Sequence, residues 1–279
     1  MEMAAPELVA TDFSDRRDEY VAPNCATRGT ARSALFAPPG YSLWQVDGEL
    51  DVGTELEWGT AHGDEALYVL EGAVVIDGTR VTTGGAVLIE AGVPAVVRAV
   101  ELSHVAHFGP TEHEPPGDGP FGAPAVEGRG VHIIPTKSDS MSAPRLTTKA
   151  LEGSYYGDGA CPTCRITLYE ADGRKLRNFV APSHVHSADE ILYLLDGEMR
   201  FGRLLAKKGM ALAVPANRRY AFRAKEGFSF LNYRPDAASV TRAPGSEPVL
   251  ETVQGMIEHH AAAEAAAAAE ALAPGTAVP

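Results

Sequence analysis

Apolar residues along this chain come in short runs punctuated by Gly, Pro, Asn and Asp. Leu67 to Gly78 (LYVLEGAVVIDG) and Ile191 to Gly202 (ILYLLDGEMRFG) each join two such runs through a Gly-containing turn, the signature of a β-hairpin. Gly85 to Ala99 (GAVLIEAGVPAVVRA) and Gly209 to Ala224 (GMALAVPANRRYAFRA) predict further strand pairs around a Pro or Gly. Phe228 to Pro235 (FSFLNYRP) alternates and predicts a late strand. The pattern is that of an all-β protein rich in turns.

The pattern also repeats. Shifted by 125 residues, Tyr41 to Ala99 aligns without gaps on Ile166 to Ala224, with 14 identities over 59 positions. LWQVDG (Leu43 to Gly48) meets LYEADG (Leu168 to Gly173), and DEALYVLEG (Asp64 to Gly72) meets DEILYLLDG (Asp189 to Gly197). The identities fall on turn residues and on the apolar alternation. Tyr68 and Tyr193 occupy equivalent positions, which marks them as packing residues of the fold.

Gly109 to Gly130, dense in Gly and Pro, reads as the connection between the units, with VHIIP (Val131 to Pro135) opening the second. The expected organisation is a first unit over 1–127, a second over 128–258, and an Ala-rich tail over 259–279, a frayed helix or disordered. Ala favours helix, but the tail carries no apolar stripe with which to dock.

Composition narrows the function. With 24 Lys+Arg against 37 Asp+Glu, the formal net charge of −13 argues against nucleic acid and anionic membranes as partners. No apolar run reaches the roughly 18 residues of a membrane span, and the N-terminal stretch lacks the features of a signal peptide. Three cysteines are too few for a disulfide scaffold, and a cytoplasmic location is expected.

The chemistry concentrates in the second unit, in APSHVHSADEILYLLDG. His184 and His186, two apart, share one face of a strand, and Glu190 follows four residues later. Two imidazoles and a carboxylate that leave coordination positions open suit one divalent ion: Fe(II) first, with Mn, Ni, Cu or Zn as alternatives. An apolar strand pattern offers no structural reason for a carboxylate at Glu190.

These residues resemble the cupin family. Its first motif is matched by His184, His186, Glu190 and Gly197 at the family spacing, without the leading Gly. Its second is matched by Gly209 and Pro215, with Asn217 in place of a Gly and Tyr220 in place of the final His. The resemblance spans both halves. It implies two tandem jelly-roll β-barrels, a bicupin, with the ion inside the second. Tyr220 is the departure: it is either a fourth ligand or an acid/base beside the ion.

In the first half Gly59, Ala61 and Ala95 stand where the second has His184, His186 and Tyr220, and only Glu65 answers Glu190. The first barrel is thus expected to be metal-free, unless a one-residue slip recruits His62. His104 and His107, three apart, do not share one face of a regular strand and read as rim or surface residues. Cys161 and Cys164 form a CxxC that reads as a disulfide, half a zinc site or a redox pair.

Arg218 and Arg219 flank Tyr220 and would line a barrel mouth that receives an anionic substrate, or simply form a solvated face. Met199, Phe201, Leu212 and Phe222 alternate as barrel-lining positions, suited to a partly apolar cavity and equally to a core. The expected function is a metal-dependent enzyme acting on a small organic substrate, with Tyr220 and Glu190 as catalytic residues and with dioxygenase chemistry leading, as the resemblance to bicupin dioxygenases implies. The alternatives are a non-redox isomerase, lyase or hydrolase, and a binding or sensor protein. A homodimer paired through sheet edges is a further arrangement open to the family.

Overall fold

The computed structural model describes residues 7–111, 129–142, 151–157, 161, 164, 166–234, 240–242 and 249–250. Most of the connection and the whole Ala-rich tail fall outside them. The described residues form strands and turns with one 3-10 turn, Lys137–Asp139, and no α-helix. No helix among them is long and apolar enough to cross a membrane.

The strands recur at the 125-residue offset. Glu65–Glu71, Ala73–Ile76, Thr79–Thr82 and Ala86–Ile89 are matched by Glu190–Asp196, Glu198–Phe201, Leu204–Lys207 and Ala211–Val214. Pairing repeats as well: Glu65–Glu71 and Glu190–Asp196 each lie between the strand equivalent to Ala86–Ile89 and a long late strand. Those late strands are Ser103–Pro110 and Ser229–Arg234. The hairpin glycines Gly72 and Gly197 both have positive φ, 82° and 74°, and a Cβ there would lie 2.3 and 2.2 Å from a backbone oxygen. Only glycine meets both conditions.

Each half closes two antiparallel sheets over an apolar interior, a jelly-roll barrel, and in the second a further three-stranded sheet pairs Val185–His186 with Val240–Arg242 and that with Val249–Leu250. The first interior holds Trp44, Trp58, Leu67, Val69 and Val105, and the second Leu192, Leu194, Phe201, Phe222 and Phe230. Alternate residues of the same strands point the other way. Ala66, Tyr68 and Phe108 meet Ile191, Tyr193 and Tyr233 in a third core between the barrels. The large sheets are therefore buried on both faces, which is why the central strands read as continuous apolar runs.

The sheets do not respect the boundary expected at residue 127. Val131–Ile134, expected to open the second unit, pairs with Ala86–Ile89 and extends the first barrel's sheet. Val9–Thr11 pairs reciprocally with Ala211–Val214 of the second. Tyr68 donates to Glu170 across the seam at 3.3 Å, and Tyr193 donates to Asp47 at 2.9 Å. A cation stands against each carboxylate: Lys137 Nζ lies 2.7 Å from Glu170 and Arg16 engages Asp47, which His104 Nε2 also meets at 3.1 Å.

Candidate functional site

Within the second barrel the His-x-His segment runs into Val185–His186, and His184 forms a β-bridge to Tyr220 through reciprocal 3.0 Å backbone hydrogen bonds. Bridged residues project side chains to the same side. The His184 and Tyr220 rings lie 4.5 Å apart, and the His184 and His186 rings 5.0 Å apart. Asn217 shapes the intervening turn. Its φ of 59° supplies the left-handed conformation expected of a Gly substitute, and its N–H donates to His186 O at 2.7 Å. Asp189 fixes the turn further, accepting from Ala216 N at 2.7 Å and from Ser42 of the first half.

Glu190 opens its strand on the same face as Leu192 and Leu194, so its carboxylate points into the barrel. The structure therefore brings together His184, His186, Glu190 and Tyr220, all at most 7% exposed. His186 Nε2 lies 3.3 Å from the Tyr220 hydroxyl and 3.5 Å from Glu190 Oε1. His184 Nδ1 donates to Pro182 O at 2.8 Å, which leaves Nε2 as the lone-pair nitrogen.

Two residues absent from the sequence-based site complete the cluster. Asn232 Nδ2 donates to Glu190 Oε2 at 2.5 Å, and Arg234 Nη1 sits against His186 Nδ1 and 3.6 Å from Glu190 Oε2. Both lie on Ser229–Arg234 in phase with Phe230, hence on the interior face. Their signal was present in the sequence as polar residues alternating with the apolar ones of FSFLNYRP. Burial by itself would raise the Glu190 pKa. The charges of His186 and Arg234, with hydrogen bonds from Tyr220 and Asn232, outweigh it and hold the carboxyl below its usual range.

The other positions separate. Phe201 abuts Tyr220 with ring centroids 6.1 Å apart, and Phe222 and Met199 are buried in the core behind it. These side chains, with Leu212, are packed core. Arg218 and Arg219 are exposed. The charge of Arg218 acts on Tyr41, a residue of the first half.

The first barrel handles its equivalent carboxylate differently. Glu65, fully buried, accepts from Trp58 Nε1 at 2.6 Å, from His107 Nε2 at 2.8 Å and from Asn24 at 3.2 Å. His107, read from sequence as a rim residue, is fully buried. It stacks on Tyr20 and meets Trp44 and Trp58 edge to face, and its Nδ1 meets the Tyr20 hydroxyl at 3.0 Å. The spacing does put the two histidines on opposite faces, His107 in phase with Val105 toward the barrel interior and His104 toward Asp47; what the reading missed is that the interior face buries this polar ring. His62 does take the backbone place of His186, since Gly92 N donates to His62 O. Its ring, however, is held by Gly63 O and Val93 O at 2.7 and 2.9 Å.

No protein-family sequence profile matches the chain, and no curated protein matches it. Solved structures do. An oxalate decarboxylase from Lactobacillus farciminis, in complex with formate, superposes with a TM-score of 0.60 at 12% identity, covering 87% of this chain and 90% of its own. Protein Ylba from E. coli gives a TM-score of 0.57 at 14% identity over 81% of this chain and 89% of its own. A mutant of the Bacillus subtilis oxalate decarboxylase gives 0.55 at 14% identity over 88% and 81%. At these identities the likeness is one of architecture, and it agrees with the strand order and paired barrels: the chain has the cupin fold.

Proposed function

We propose that the chain is a metal-dependent bicupin enzyme whose second barrel acts on a small organic acid, with the first barrel as its non-catalytic partner. One contrast carries the reading. Both barrels bury the same carboxylate, but the one imidazole bonded to Glu65, His107, is wedged between Trp44 and Trp58, whereas at Glu190 two imidazoles and a phenol lie with ring centroids 4.5 to 5.9 Å apart.

The donor set fits a divalent ion. Ligands bound at about 2.0–2.2 Å stand roughly 3–3.5 Å apart. The 3.5 Å from His186 Nε2 to Glu190 Oε1 and the 3.3 Å from His186 Nε2 to the Tyr220 hydroxyl are edges of that length. Glu190 Oε1 is a buried anionic oxygen with no hydrogen bond at standard geometry. His184, His186 and Glu190 would hold the ion, with Tyr220 as a further ligand or as an acid/base beside it. Arg234 sets one condition. Its guanidinium has only protons to give, so for His186 to offer Nε2 as the ligand nitrogen, with its ring proton on Nδ1, the Arg234 contact to Nδ1 would have to open. A bound ion supplies Lewis acidity and, as iron, redox chemistry with dioxygen at its open positions.

Dioxygen activation leads because the two-imidazole, one-carboxylate set leaves those positions open. A non-redox lyase or isomerase is the second reading, favoured by the Tyr220–His186 contact, which makes a proton-transfer pair. The solved relatives include oxalate decarboxylases and a proposed dioxygenase from Nostoc punctiforme, so small carboxylates and keto acids come first in a substrate screen.

Elemental analysis of the purified protein followed by oxygen-uptake assays tests the proposal. Iron or copper with oxygen consumption supports the dioxygenase, and manganese, zinc or nickel with oxygen-independent turnover supports the second reading. If no metal is held and His186→Ala changes neither activity nor ligand affinity, the enzyme reading is abandoned.

A further inference from the structure

The CxxC segment finds its partners in the first half. Glu90 follows the Ala86–Ile89 strand, and His132 lies on the Val131–Ile134 strand paired beside it, opposite Leu88. Cys161 belongs to the second half, ahead of Ile166, yet its Sγ lies 3.8 Å from Glu90 Oε2. His132 Nε2 stands 3.2 Å from the same oxygen, and the three donor atoms lie within 4.8 Å of one another. The His132 and Glu90 side chains are 9% and 1% exposed. Gly130 N also donates to Glu90 Oε2, at 2.7 Å, and fixes the carboxylate's orientation. None of the three cysteines is in a disulfide, so the disulfide reading of this CxxC does not hold in this structure.

We propose that Glu90, His132 and Cys161 form a second metal site, of the zinc class, that fastens the CxxC segment of the second half to the first barrel. The interatomic distances carry the argument. Around a tetrahedral ion, a nitrogen and an oxygen at about 2.0–2.1 Å stand about 3.4 Å apart, and a sulfur at about 2.3 Å stands about 3.6 Å from that oxygen. The 3.2 and 3.8 Å measured here are close to both. Thiolate, imidazole and carboxylate together select zinc over hard cations such as magnesium or calcium. Cys164 supplies a neighbouring thiol, buried close enough to feel the charges of Glu90 and Cys161. Binding exchanges the Cys161 thiol proton for the ion, with no change of oxidation state. The site shares no residue with the His184 cluster, and its signature is a thiolate, which that cluster lacks.

Cobalt(II) is the probe. Chelator-treated full-length protein titrated with Co2+ should develop near-ultraviolet thiolate-to-cobalt charge-transfer absorption, which Zn2+ then displaces. The band should persist in His186→Ala, disappear in Cys161→Ser and His132→Ala, and need at least about tenfold more Co2+ in Glu90→Gln. Its absence from the wild type, or its survival in Cys161→Ser, overturns the proposal. Alkylation mapping of the wild-type protein answers the same question without a substitution. Zn2+ should shield Cys161 from iodoacetamide, and equal modification with and without Zn2+ overturns the assignment.

Discussion

The two barrels present one carboxylate in two settings. Around Glu65 the first barrel packs Trp44, Trp58 and His107, and the hydrogen bonds to its oxygens come from Trp58 and His107 in the core and from the half-buried Asn24. Around Glu190 the second barrel sets His184, His186, Tyr220, Asn232 and Arg234. Gly109 stands where Arg234 does, and a Cβ there would lie 2.3 Å from the Trp44 ring, so indole fills the space that guanidinium occupies in the other half. A buried carboxylate by itself therefore says nothing about function. What differs is whether its neighbours can be exchanged for a ligand or can only be unfolded.

The sharpest way to break that comparison is to remove donors from the second barrel. Glu190→Gln or His186→Ala should remove the ion held by the second barrel, leaving any held through Cys161, and lower turnover by at least about 100-fold while the far-ultraviolet dichroism stays that of the wild type. A variant with full metal content would dissolve the distinction. In the first barrel the corresponding change should act on stability. His107→Ala strips Glu65 of its buried partner and should cost about 3–5 kcal/mol in urea unfolding, with little effect on turnover at temperatures where the protein is folded. A cost below about 1 kcal/mol would mean that the Trp58 and Asn24 contacts suffice.

Acid should distinguish the first barrel's carboxylate again. Burial pushes Glu65 up, but His107, Trp58 and His62 together hold its pKa below the ordinary 4.5. Its contribution to stability is therefore complete above 4.5 and is lost as pH falls through the lower folded value. Urea midpoints measured down through that range should fall less steeply in Glu65→Gln than in the wild type; parallel curves would remove Glu65 from the account. The smallest effects belong to the seam. Tyr68→Phe and Tyr193→Phe should each cost about 0.5–1.5 kcal/mol, because Glu170 and Asp47 keep their cations. The two costs should add, since the hydrogen bonds grip separate carboxylates.

Much of this was legible in the residues. The 125-residue offset carried the strand order, the repeated hairpin glycines and the face shared by His184 and His186, because turn chemistry and strand alternation are local. Asn232 and Arg234 were missed although FSFLNYRP displays them, since a strand pattern does not say which of its polar residues meets a buried carboxylate. His107 was misjudged because alternation sets it opposite His104 without saying which face is the barrel interior, and a polar residue on that face was read as rim. The partners of Cys161 were not readable at all. Glu90 and His132 are brought to it by strand pairing between the halves, a contact with no spacing in the chain.

That pairing also bears on how the molecule comes apart. Val9–Thr11 completes a sheet whose partner strand lies about 200 residues further on, and Val131–Ile134 completes the other. Neither half can melt without uncovering an edge in its twin. The protein should therefore lose structure in a single cooperative transition, and either half synthesised alone would keep an unmatched strand edge and the exposed face of a core meant for two. Two separate unfolding transitions would return the molecule to the two domains read from its sequence.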